Sequence, residues 1–399
     1  MNDPGKRNNT LLFSQCMRIL LFLLPLFSLL SCDLSGTKDD AVAPSLIDST
    51  ALKLIKDKEP VISKKDQAHL NTKFLKFIKK RRFNGAVLIA KGNSIVFDTI
   101  VGYANVRKRI PLHDTSAMQL ASISKPLTGA VILSLIKEGK IKLTDTIQHH
   151  LPRLPKGYDK ITIQMLLSHQ SGLTQYYYYC DHVLKDKNFI LDNDSLIDVI
   201  VEHRPGFGGR AGRKFKYCNT NYALLAALAE KIEGKRFQEI VQERIIQPSG
   251  MSNSFLLDLF SDTLPANLVY GNNEWRRIVE FDYLDGIVGD KGFFSNAHDL
   301  FKFDRYFFSN EMIGDSLMQK ALTAQTKVAR NGNAYGLGWR LRFNDELGKI
   351  VYHPGWWRGN RHLYFKIPSK DYTVILLSNS LKGSRYNLNN LLSIFYEVE

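Results

Sequence analysis

The fold of this chain is decided by the stretch Gln119-Leu120-Ala121-Ser122-Ile123-Ser124-Lys125-Pro126-Leu127. Ser122 and Lys125 stand three residues apart where a helix is predicted to begin, so their side chains share one helical face. A serine hydroxyl is a weak nucleophile until a neighbour takes its proton, and a lysine amine can be that neighbour. The unpaired N–H groups at a helix N-terminus also stabilise a developing oxyanion. The stretch therefore predicts nucleophilic catalysis by Ser122.

The same Ser-x-x-Lys spacing occurs twice more in the chain. Ser35 and Lys38 lie in an apparent linker, and Ser134 and Lys137 lie inside an apolar helical pattern where a structural role is expected. Short motifs of this kind often arise by chance. What separates Ser122 from the other two serines is the set of motifs that follows it.

Two later motifs give Ser122 and Lys125 their context. Tyr217-Cys218-Asn219 follows in the middle of the chain, and His353-Pro354-Gly355 ends a predicted strand near the C-terminus. In this order the motifs resemble those of the penicillin-recognising serine hydrolases, in particular the class C β-lactamase-like family with its D-alanyl-D-alanine carboxypeptidase and esterase relatives. The resemblance covers Asp66 to the C-terminus. Supporting matches lie at 163–173, 246–251, 285–295 and 335–339.

The resemblance implies a catalytic role for three residues. Ser122 attacks an ester or amide carbonyl, and Lys125 and the Tyr217 hydroxyl share the removal of its proton. Which of these two is the formal base stays open. No metal or other cofactor is expected, because the mechanism needs none and no histidine pair has convincing ligand spacing.

The resemblance also implies four substrate-binding residues. Asn219 donates a hydrogen bond to the substrate carbonyl and orients the lysine. His353 contacts a substrate carboxylate, and Gly355 lets the substrate approach the strand closely. The oxyanion hole is expected from the backbone N–H groups of Ser122 and of Trp356.

Some residues depart from the family's pattern or leave their role open. His353 replaces the lysine of true class C β-lactamases, and a histidine attracts a carboxylate only when it is protonated. Arg358 either restores that positive charge or is a plain surface arginine. His169 is expected to fix a loop rather than to act in catalysis. The tyrosines of 176–179 border the cleft in this family and suit glycans or aromatic acyl groups, with local packing as the alternative.

Hydrophobic periodicity predicts an α/β (α+β) chain, and the resemblance implies that its fold is of the β-lactamase/transpeptidase type. An antiparallel sheet is built from both chain ends, 66–120 and 290–399, and is flanked by helices; a mainly helical part, 121–289, is inserted between them. Helices are predicted at 66–82, from Ser122 to Glu138, and at 387–396. Strands are predicted at 85–90, 94–103, 338–343, 349–353, 362–367 and 372–378.

The first 32 residues have the pattern of a targeting signal. Basic residues precede an apolar run from Ile19 to Leu30, which is too short to span a bilayer. The run ends in Leu29-Leu30-Ser31-Cys32, which resembles the lipobox of bacterial lipoproteins and implies lipidation of Cys32. A cleaved signal with an incidental cysteine is the alternative. Residues 33–65 are polar and are predicted to be a flexible linker.

The net charge limits the binding partners that are expected, and the cysteine content limits the disulfides that are expected. The net charge of +15 favours anionic lipid headgroups or cell-wall polymers, or is simply a solvated basic surface. No nucleic-acid motif is present, so nucleic acid is not expected as a partner. Cys180 and Cys218 are the two cysteines of the domain, and a disulfide between them is not favoured. The expected location is the cell envelope, as a lipoprotein facing the periplasm or the cell surface.

These observations predict a serine hydrolase that acts through a Ser122 acyl-enzyme. The substrates expected are D-amino-acid peptides derived from the cell wall, small esters or β-lactams. The alternative is a penicillin-binding-like sensor or envelope binding protein that is acylated without turnover. A scaffold lipoprotein that keeps only the fold is disfavoured, since Ser122, Lys125, Tyr217 and Asn219 are all present.

Overall fold

Residues 62–399 are described by a computed structural model. The predictions for the signal, the lipobox at Cys32 and nearly all of the linker fall outside the described residues. Twelve helices occur in 62–399: α1 (Lys64–Arg81), α2 (Ser124–Lys137), α3 (Ile147–His150), α4 (Ile163–Leu167), α5 (Tyr176–Val183), α6 (Asn193–His203), α7 (Thr220–Glu233), α8 (Phe237–Val241), α9 (Gln247–Ser249), α10 (Ala297–Phe308), α11 (Asp315–Ala321) and α12 (Leu388–Leu392). No helix among these residues is long and apolar enough to cross a bilayer.

Thirteen strands accompany these helices in the described part of the chain. They are β1 (Gly85–Lys91), β2 (Ser94–Val101), β3 (Tyr103–Asn105), β4 (Ile110–Pro111), β5 (Ala117–Gln119), β6 (Phe255–Leu256), β7 (Leu268–Val269), β8 (Phe293–Ser295), β9 (Asn333–Tyr335), β10 (Arg340–Asn344), β11 (Gly348–Trp357), β12 (Asn360–Ile367) and β13 (Tyr372–Ser378). Each predicted strand is present, but the strand predicted at 94–103 is divided into β2 and β3.

The main sheet is antiparallel and is built from both ends of the domain, as predicted. Its seven strands lie in the order β2-β1-β13-β12-β11-β10-β9. The N-terminal hairpin joins the C-terminal strands through β1 and β13, with Gly85 opposite Ser378 and Lys91 opposite Tyr372. The stretch 290–399, which we assigned to the sheet, also contributes α10 and α11.

Hydrophobic packing covers both faces of this sheet. On the outer face, Leu70 and Phe74 of α1 and Leu391 of α12 pack against alternate strand residues such as Val374. On the inner face, α2, α7 and α10 form the larger core, which includes Ile375. The alternation of faces along each strand is the expected period of two. The functional motifs lie on the inner side.

A second, four-stranded sheet leads the chain to the Ser122 motif. Its order is β6-β8-β5-β7, and β5 ends at Gln119. A 3₁₀ turn at Ala121–Ile123 follows, and α2 begins directly after it. Ala121 has a φ of 51°, a left-handed conformation that is uncommon for a residue with a side chain. Ser122 is thus presented on a tight turn between two packed elements.

His362 fastens this turn to the main sheet. Its Nε2 lies 2.7 Å from the carbonyl oxygen of Gln119, and its Nδ1 accepts a hydrogen bond of 3.0 Å from the Ser378 N–H. One ring nitrogen therefore faces a hydrogen-bond acceptor and the other faces a donor, which is the arrangement that a neutral imidazole requires. Burial lowers the pKa of His362 from 6.5 to about 4, against the opposing effect of the Gln119 carbonyl.

This lowered pKa predicts an acid-sensitive fold. Between pH 6.5 and 4 the unfolded chain binds a proton at His362 that the folded chain does not, so stability is full above pH 6.5 and falls as the pH drops. His362 alone should remove up to about 3 kcal/mol across that range. Urea unfolding from pH 7 to pH 4.5 should show a shallower pH dependence for His362→Asn than for the unsubstituted chain. The exposed His182→Asn is the control, and an equal slope for all three proteins would contradict the prediction.

Candidate active site

The Ser122 turn lies against strand β11 at very short range. A Cβ placed on Gly355 would lie 2.3 Å from the Leu120 carbonyl oxygen, which is far inside contact distance. Only a glycine lets β11 pass the turn this closely. Gly355 was predicted to let a substrate approach β11 closely. In the structure, the group that approaches Gly355 closely is the Ser122 turn. The backbone of Ser122 and the β11 segment at Trp356 are brought together by this contact.

Lys125 is wholly buried beside the nucleophile. Its Nζ lies 3.1 Å from Ser122 Oγ and donates a hydrogen bond of 2.8 Å to the backbone carbonyl of Asp290. The Asp290 carbonyl fixes the end of a flexible side chain that would otherwise sample many rotamers. Sequence reasoning had assigned this orienting role to Asn219. Within residues 62–399, no hydrogen bond joins Asn219 to the lysine, and an orienting role for Asn219 stays a prediction.

Tyr217 lies between the side chains of Lys125 and Arg340. Lys125 Nζ is 5.0 Å and the Arg340 guanidinium carbon 4.9 Å from the centre of its ring. The ring also packs on His169, with 4.3 Å between the ring centres. A guanidinium at this distance is attracted to a tyrosine ring. The structure therefore brings Ser122, Lys125 and Tyr217 together as predicted.

The loop that carries Tyr217 is held by hydrogen bonds from α5. Gln175, which precedes this helix, donates to the Tyr217 carbonyl at 3.0 Å and accepts from the Asn219 N–H at 2.7 Å. His169 accepts a hydrogen bond of 3.1 Å from the Cys218 N–H. His169 thus fixes this loop, in line with the structural role expected for it. Gln175 has no counterpart in the sequence-based prediction.

Asn219 places a polar group in the site that has no protein partner. Its Oδ1 is buried and makes no hydrogen bond within the described part of the chain. A buried carbonyl oxygen without a donor costs free energy, so native structures rarely leave one unsatisfied. This oxygen is suited to accept a hydrogen bond from a substrate N–H. The prediction had placed Asn219 in substrate binding as a donor to the substrate carbonyl.

His353 is a buried neutral histidine. Its Nε2 lies 3.1 Å from the Tyr335 hydroxyl, which lies 3.2 Å from Nε2 of His169. Burial, with Arg340 and Lys125 nearby, holds the pKa of His353 well below its ordinary value. It is therefore neutral at pH 7. The idea that a protonated His353 attracts a substrate carboxylate does not fit this environment.

Arg340 is the fixed positive charge that sequence reasoning missed. The side chain reaches Tyr217 from the first residue of β10, and its Nε is buried without a hydrogen-bond acceptor in residues 62–399. A guanidinium is charged at every physiological pH. The sequence offered a weak signal, because Arg340 directly follows the family-like stretch Tyr335–Trp339. Its distance from the other motifs gave no hint that it enters the site.

Arg358 is not available as the replacement charge that we considered. Its Nε donates a hydrogen bond of 2.9 Å to the buried Asp285, and its guanidinium also pairs with Asp282. Trp357 Nε1 donates to the same Asp285 carboxylate at 2.7 Å. Asp285 therefore anchors the β11–β12 turn. Arg358 is a structural residue of this turn.

The two tryptophans of β11 point to opposite faces of the sheet. Trp357 lies on the inner side, 6.4 Å from Tyr177 between ring centres, whereas the Trp356 side chain lies on the outer side and is 64% exposed. The backbone of Trp356 can still serve the oxyanion hole, while its side chain points to the other face of β11 from that of Trp357. On the inner side, Tyr177 also packs on the exposed Tyr178, which leaves an aromatic wall beside the cleft.

Two further predictions concern residues outside the site. Cys180 and Cys218 are both buried and are both free thiols. The second Ser-x-x-Lys pair is structural: Ser134 Oγ donates to the Val131 carbonyl, and Lys137 Nζ donates to the Glu311 carbonyl. The Ser35 and Lys38 pair lies outside the described residues.

Comparison with known proteins agrees with the geometry. The Beta-lactamase family model matches residues 67–395. The chain belongs to this family. Penicillin-binding protein 4* of Bacillus subtilis (strain 168) is 31% identical over 344 residues, which are 80% of this chain and 73% of the relative. The chain spans 64% and 61% of the length of two further curated relatives.

Solved structures of the family share the fold. A penicillin-binding protein from Bacillus halodurans superposes with a TM-score of 0.68 at 23% identity, covering 80% of this chain and 97% of that one. A class C β-lactamase superposes with a TM-score of 0.67 at 16% identity, covering 83% and 95%. The chain therefore has the serine hydrolase fold of the β-lactamase and penicillin-binding protein family. Its own reaction is a separate question.

The contact between Gly355 and the Ser122 turn gives a direct test of the site. Gly355→Ala should push β11 away from Leu120 and displace the two predicted oxyanion donors, lowering the kcat for a chromogenic ester about 10²-fold or more. Gly206→Ala is the matched control, because a Cβ there meets nothing within 4 Å. Equal kcat values for the two variants would show that the close approach does not matter for turnover.

Proposed function

We propose that this protein hydrolyses ester or amide substrates through an acyl-enzyme on Ser122. The observation that carries the proposal is the contact of Lys125 Nζ with Ser122 Oγ at 3.1 Å, with the lysine fixed by the Asp290 carbonyl. A neutral amine in this position can accept the serine proton as the hydroxyl attacks. Nothing else in reach of the hydroxyl has the same geometry in residues 62–399.

The proposed chemistry has two balanced steps. In the first, the Ser122 Oγ bonds to the substrate carbonyl carbon while the bond to the leaving amine or alcohol breaks. The serine proton passes to Lys125 or Tyr217 and then to the leaving group. In the second, the oxygen of a water molecule bonds to the acyl carbon while the bond from that carbon to Ser122 Oγ breaks. One water proton passes through Lys125 or Tyr217 to Ser122 Oγ, and the carboxylic acid leaves. The backbone N–H groups of Ser122 and Trp356 are proposed to hold the oxyanion in both steps.

We further propose that the substrate carries a carboxylate near the scissile bond. Arg340 supplies a fixed positive charge, and its buried Nε–H has no hydrogen-bond acceptor in residues 62–399. His353 is neutral, so binding of a carboxylate by Arg340 does not require an acidic pH. An arginine binds a carboxylate through two parallel hydrogen bonds. The unpartnered Asn219 Oδ1 fits a substrate amide N–H. Peptides that end in a D-amino acid and β-lactams have both groups.

The proposed location is the cell envelope, with Cys32 lipidated as the membrane anchor. This proposal rests on the sequence alone, since residues 1–61 lie outside the described part. Cys32→Ser should release the protein from the membrane fraction of the expressing cell. Retention of the variant in that fraction, judged by immunoblot, would count against lipidation as the anchor.

Covalent labelling tests the nucleophile. A fluorophosphonate probe and a fluorescent penicillin should label the protein, and Ser122→Ala should abolish labelling by both. Turnover of a chromogenic ester should fall at least about 10³-fold in the same variant. Ser134→Ala is the control, because Ser134 belongs to a pair with purely structural contacts. If Ser122→Ala labels as strongly as the unsubstituted protein, the acyl-enzyme proposal is wrong.

The same assay separates an enzyme from a sensor. Labelling by penicillin that persists for hours, together with no ester turnover, would identify a protein that forms the acyl-enzyme but does not hydrolyse it. Release of the label within minutes and continuous ester hydrolysis would support the enzyme. Both outcomes require Ser122, so they differ only in the second step.

Arg340 and Arg342 allow a matched test of carboxylate recognition. They stand two residues apart on β10, and Arg342 bonds Asn333 rather than entering the site. Arg340→Gln should slow acylation by penicillin about 10²-fold because a charge-assisted contact with the carboxylate is lost. Hydrolysis of a neutral ester should change only a few-fold, and Arg342→Gln should leave both rates intact. Equal losses for the penicillin and the neutral ester would refute carboxylate recognition by Arg340.

A further inference from the structure

We propose that the outer face of the domain carries a docking surface for an anionic lipid bilayer, centred on Trp275 and Trp356. These two side chains are 78% and 64% exposed. A tryptophan side chain is rarely exposed to water to this extent, because exposing its large apolar ring forgoes the favourable free energy of burial. In proteins that rest on membranes, tryptophans concentrate at the level of the lipid headgroups. The proposal concerns the side chains of these two residues, whereas the reaction proposed above uses only the backbone of Trp356.

Trp275 is displayed by a tightly bonded loop. Asn273 Oδ1 accepts hydrogen bonds from the N–H groups of Trp275 and Arg277, each 3.0 Å long, and the Asn273 N–H donates to the Arg277 carbonyl at 2.9 Å. Arg276 completes the turn with a φ of 59°. These bonds fix the backbone of the loop, so the loop conformation itself exposes the Trp275 ring to solvent. A fixed aromatic ring loses little conformational entropy when it binds.

Trp356 reaches the same side of the molecule by strand alternation. Val351 of β11 belongs to the inner core and Tyr352 to the outer core, so alternation along the strand places Trp356 on the outer, α1 side of the sheet. The guanidinium of Arg361, its partner residue on β12, lies 5.6 Å from the Trp356 ring centre. The exposed ring is therefore paired with a cation, an arrangement that suits a headgroup region.

Contacts between residues next to the two tryptophans link them to the end of α1. Arg81 of α1 donates a hydrogen bond to the Arg385 carbonyl at 2.7 Å, and the Arg385 side chain lies 3.5 Å from Glu274, next to Trp275. Tyr386 donates from its hydroxyl to the Arg361 carbonyl at 3.0 Å. The segments 79–82, 274–277, 382–385, Trp356 and Arg361 thus form one surface, which we call the Trp surface.

The Trp surface is strongly basic. It contains nine basic residues and one acidic residue, Glu274, which is paired with Arg385. The basic residues are Lys79, Lys80, Arg81, Arg82, Arg276, Arg277, Arg361, Lys382 and Arg385. Basic side chains near an anionic bilayer each strengthen binding, and the effect adds over several residues. The positive charge of this surface matches anionic lipid headgroups, and its exposed tryptophan rings match the interfacial region of a bilayer.

A lipid bilayer fits these features better than a soluble polyanion does. A phosphate-bearing polymer would be held by the arginines and lysines alone and would give the exposed tryptophans no apolar partner. The interfacial region of a bilayer satisfies both kinds of side chain at once.

The test uses the full chain bound to vesicles and reads the depth of tryptophan. In vesicles of phosphatidylglycerol with brominated acyl chains, tryptophan fluorescence should be quenched, and 0.5 M NaCl should reverse much of the quenching. Vesicles of brominated phosphatidylcholine should quench far less. Trp275→Phe should remove a large part of the quenching without changing ester turnover. These readings depend on the domain surface even if residues 1–61 hold the protein on the vesicle.

Charge variants complete the test. Arg276→Gln combined with Arg277→Gln should weaken the quenching-detected docking about tenfold or more. Lys327→Gln combined with Arg330→Gln is the matched control, because both residues are exposed on a different surface. The proposal fails if both pairs behave alike or if anionic vesicles quench no more than neutral ones. It also fails if the protein binds a purified anionic wall polymer while its tryptophans stay unquenched in vesicles.

Discussion

The structure of the site depends on one buried amine. Lys125 has no exposed surface, and an amine removed from water is costly unless the protein supplies partners in place of the lost hydration. Here the Asp290 carbonyl, the Ser122 hydroxyl and the faces of Tyr217 and Tyr222 surround its Nζ. The turn before α2, the loop before α7 and the segment before β8 must therefore converge on one point. Convergence of these distant segments is what the fold provides.

The main sheet supplies the rigid side of this arrangement. Strand β11 is hydrogen-bonded along its length to β12, and Gly355 allows it to press against Leu120. His362, on β12, reaches past the same glycine to the Gln119 carbonyl. The nucleophile is therefore positioned from two sides, by helix α2 and by the sheet. A site held on regular elements keeps its geometry better than one held on loops alone.

The sequence predicted those parts of the molecule that follow from local pattern. Alternating apolar residues located the strands, and the order of Ser122, Tyr217 and His353 located side chains that meet at the candidate site. It failed where a role depends on the direction of a side chain. Arg358 and Arg340 are both arginines near β11 in space, yet the buried Asp285 neutralises the first while the second keeps a free N–H. Trp356 and Trp357 are adjacent, and only the pairing of β11 with β12 shows which one faces the cleft.

The exchange of roles between His353 and Arg340 has a consequence for pH dependence. A site that relied on a histidine cation would bind carboxylates only in acid, because burial disfavours the charged ring. An arginine keeps its charge across the physiological range. His353 is then free to act as a neutral hydrogen-bonding link to Tyr335 and, through it, to His169 under the Tyr217 loop. Under the proposed function, Arg340 holds the charge and His353 holds the geometry, so the affinity for a carboxylate substrate would vary little with pH.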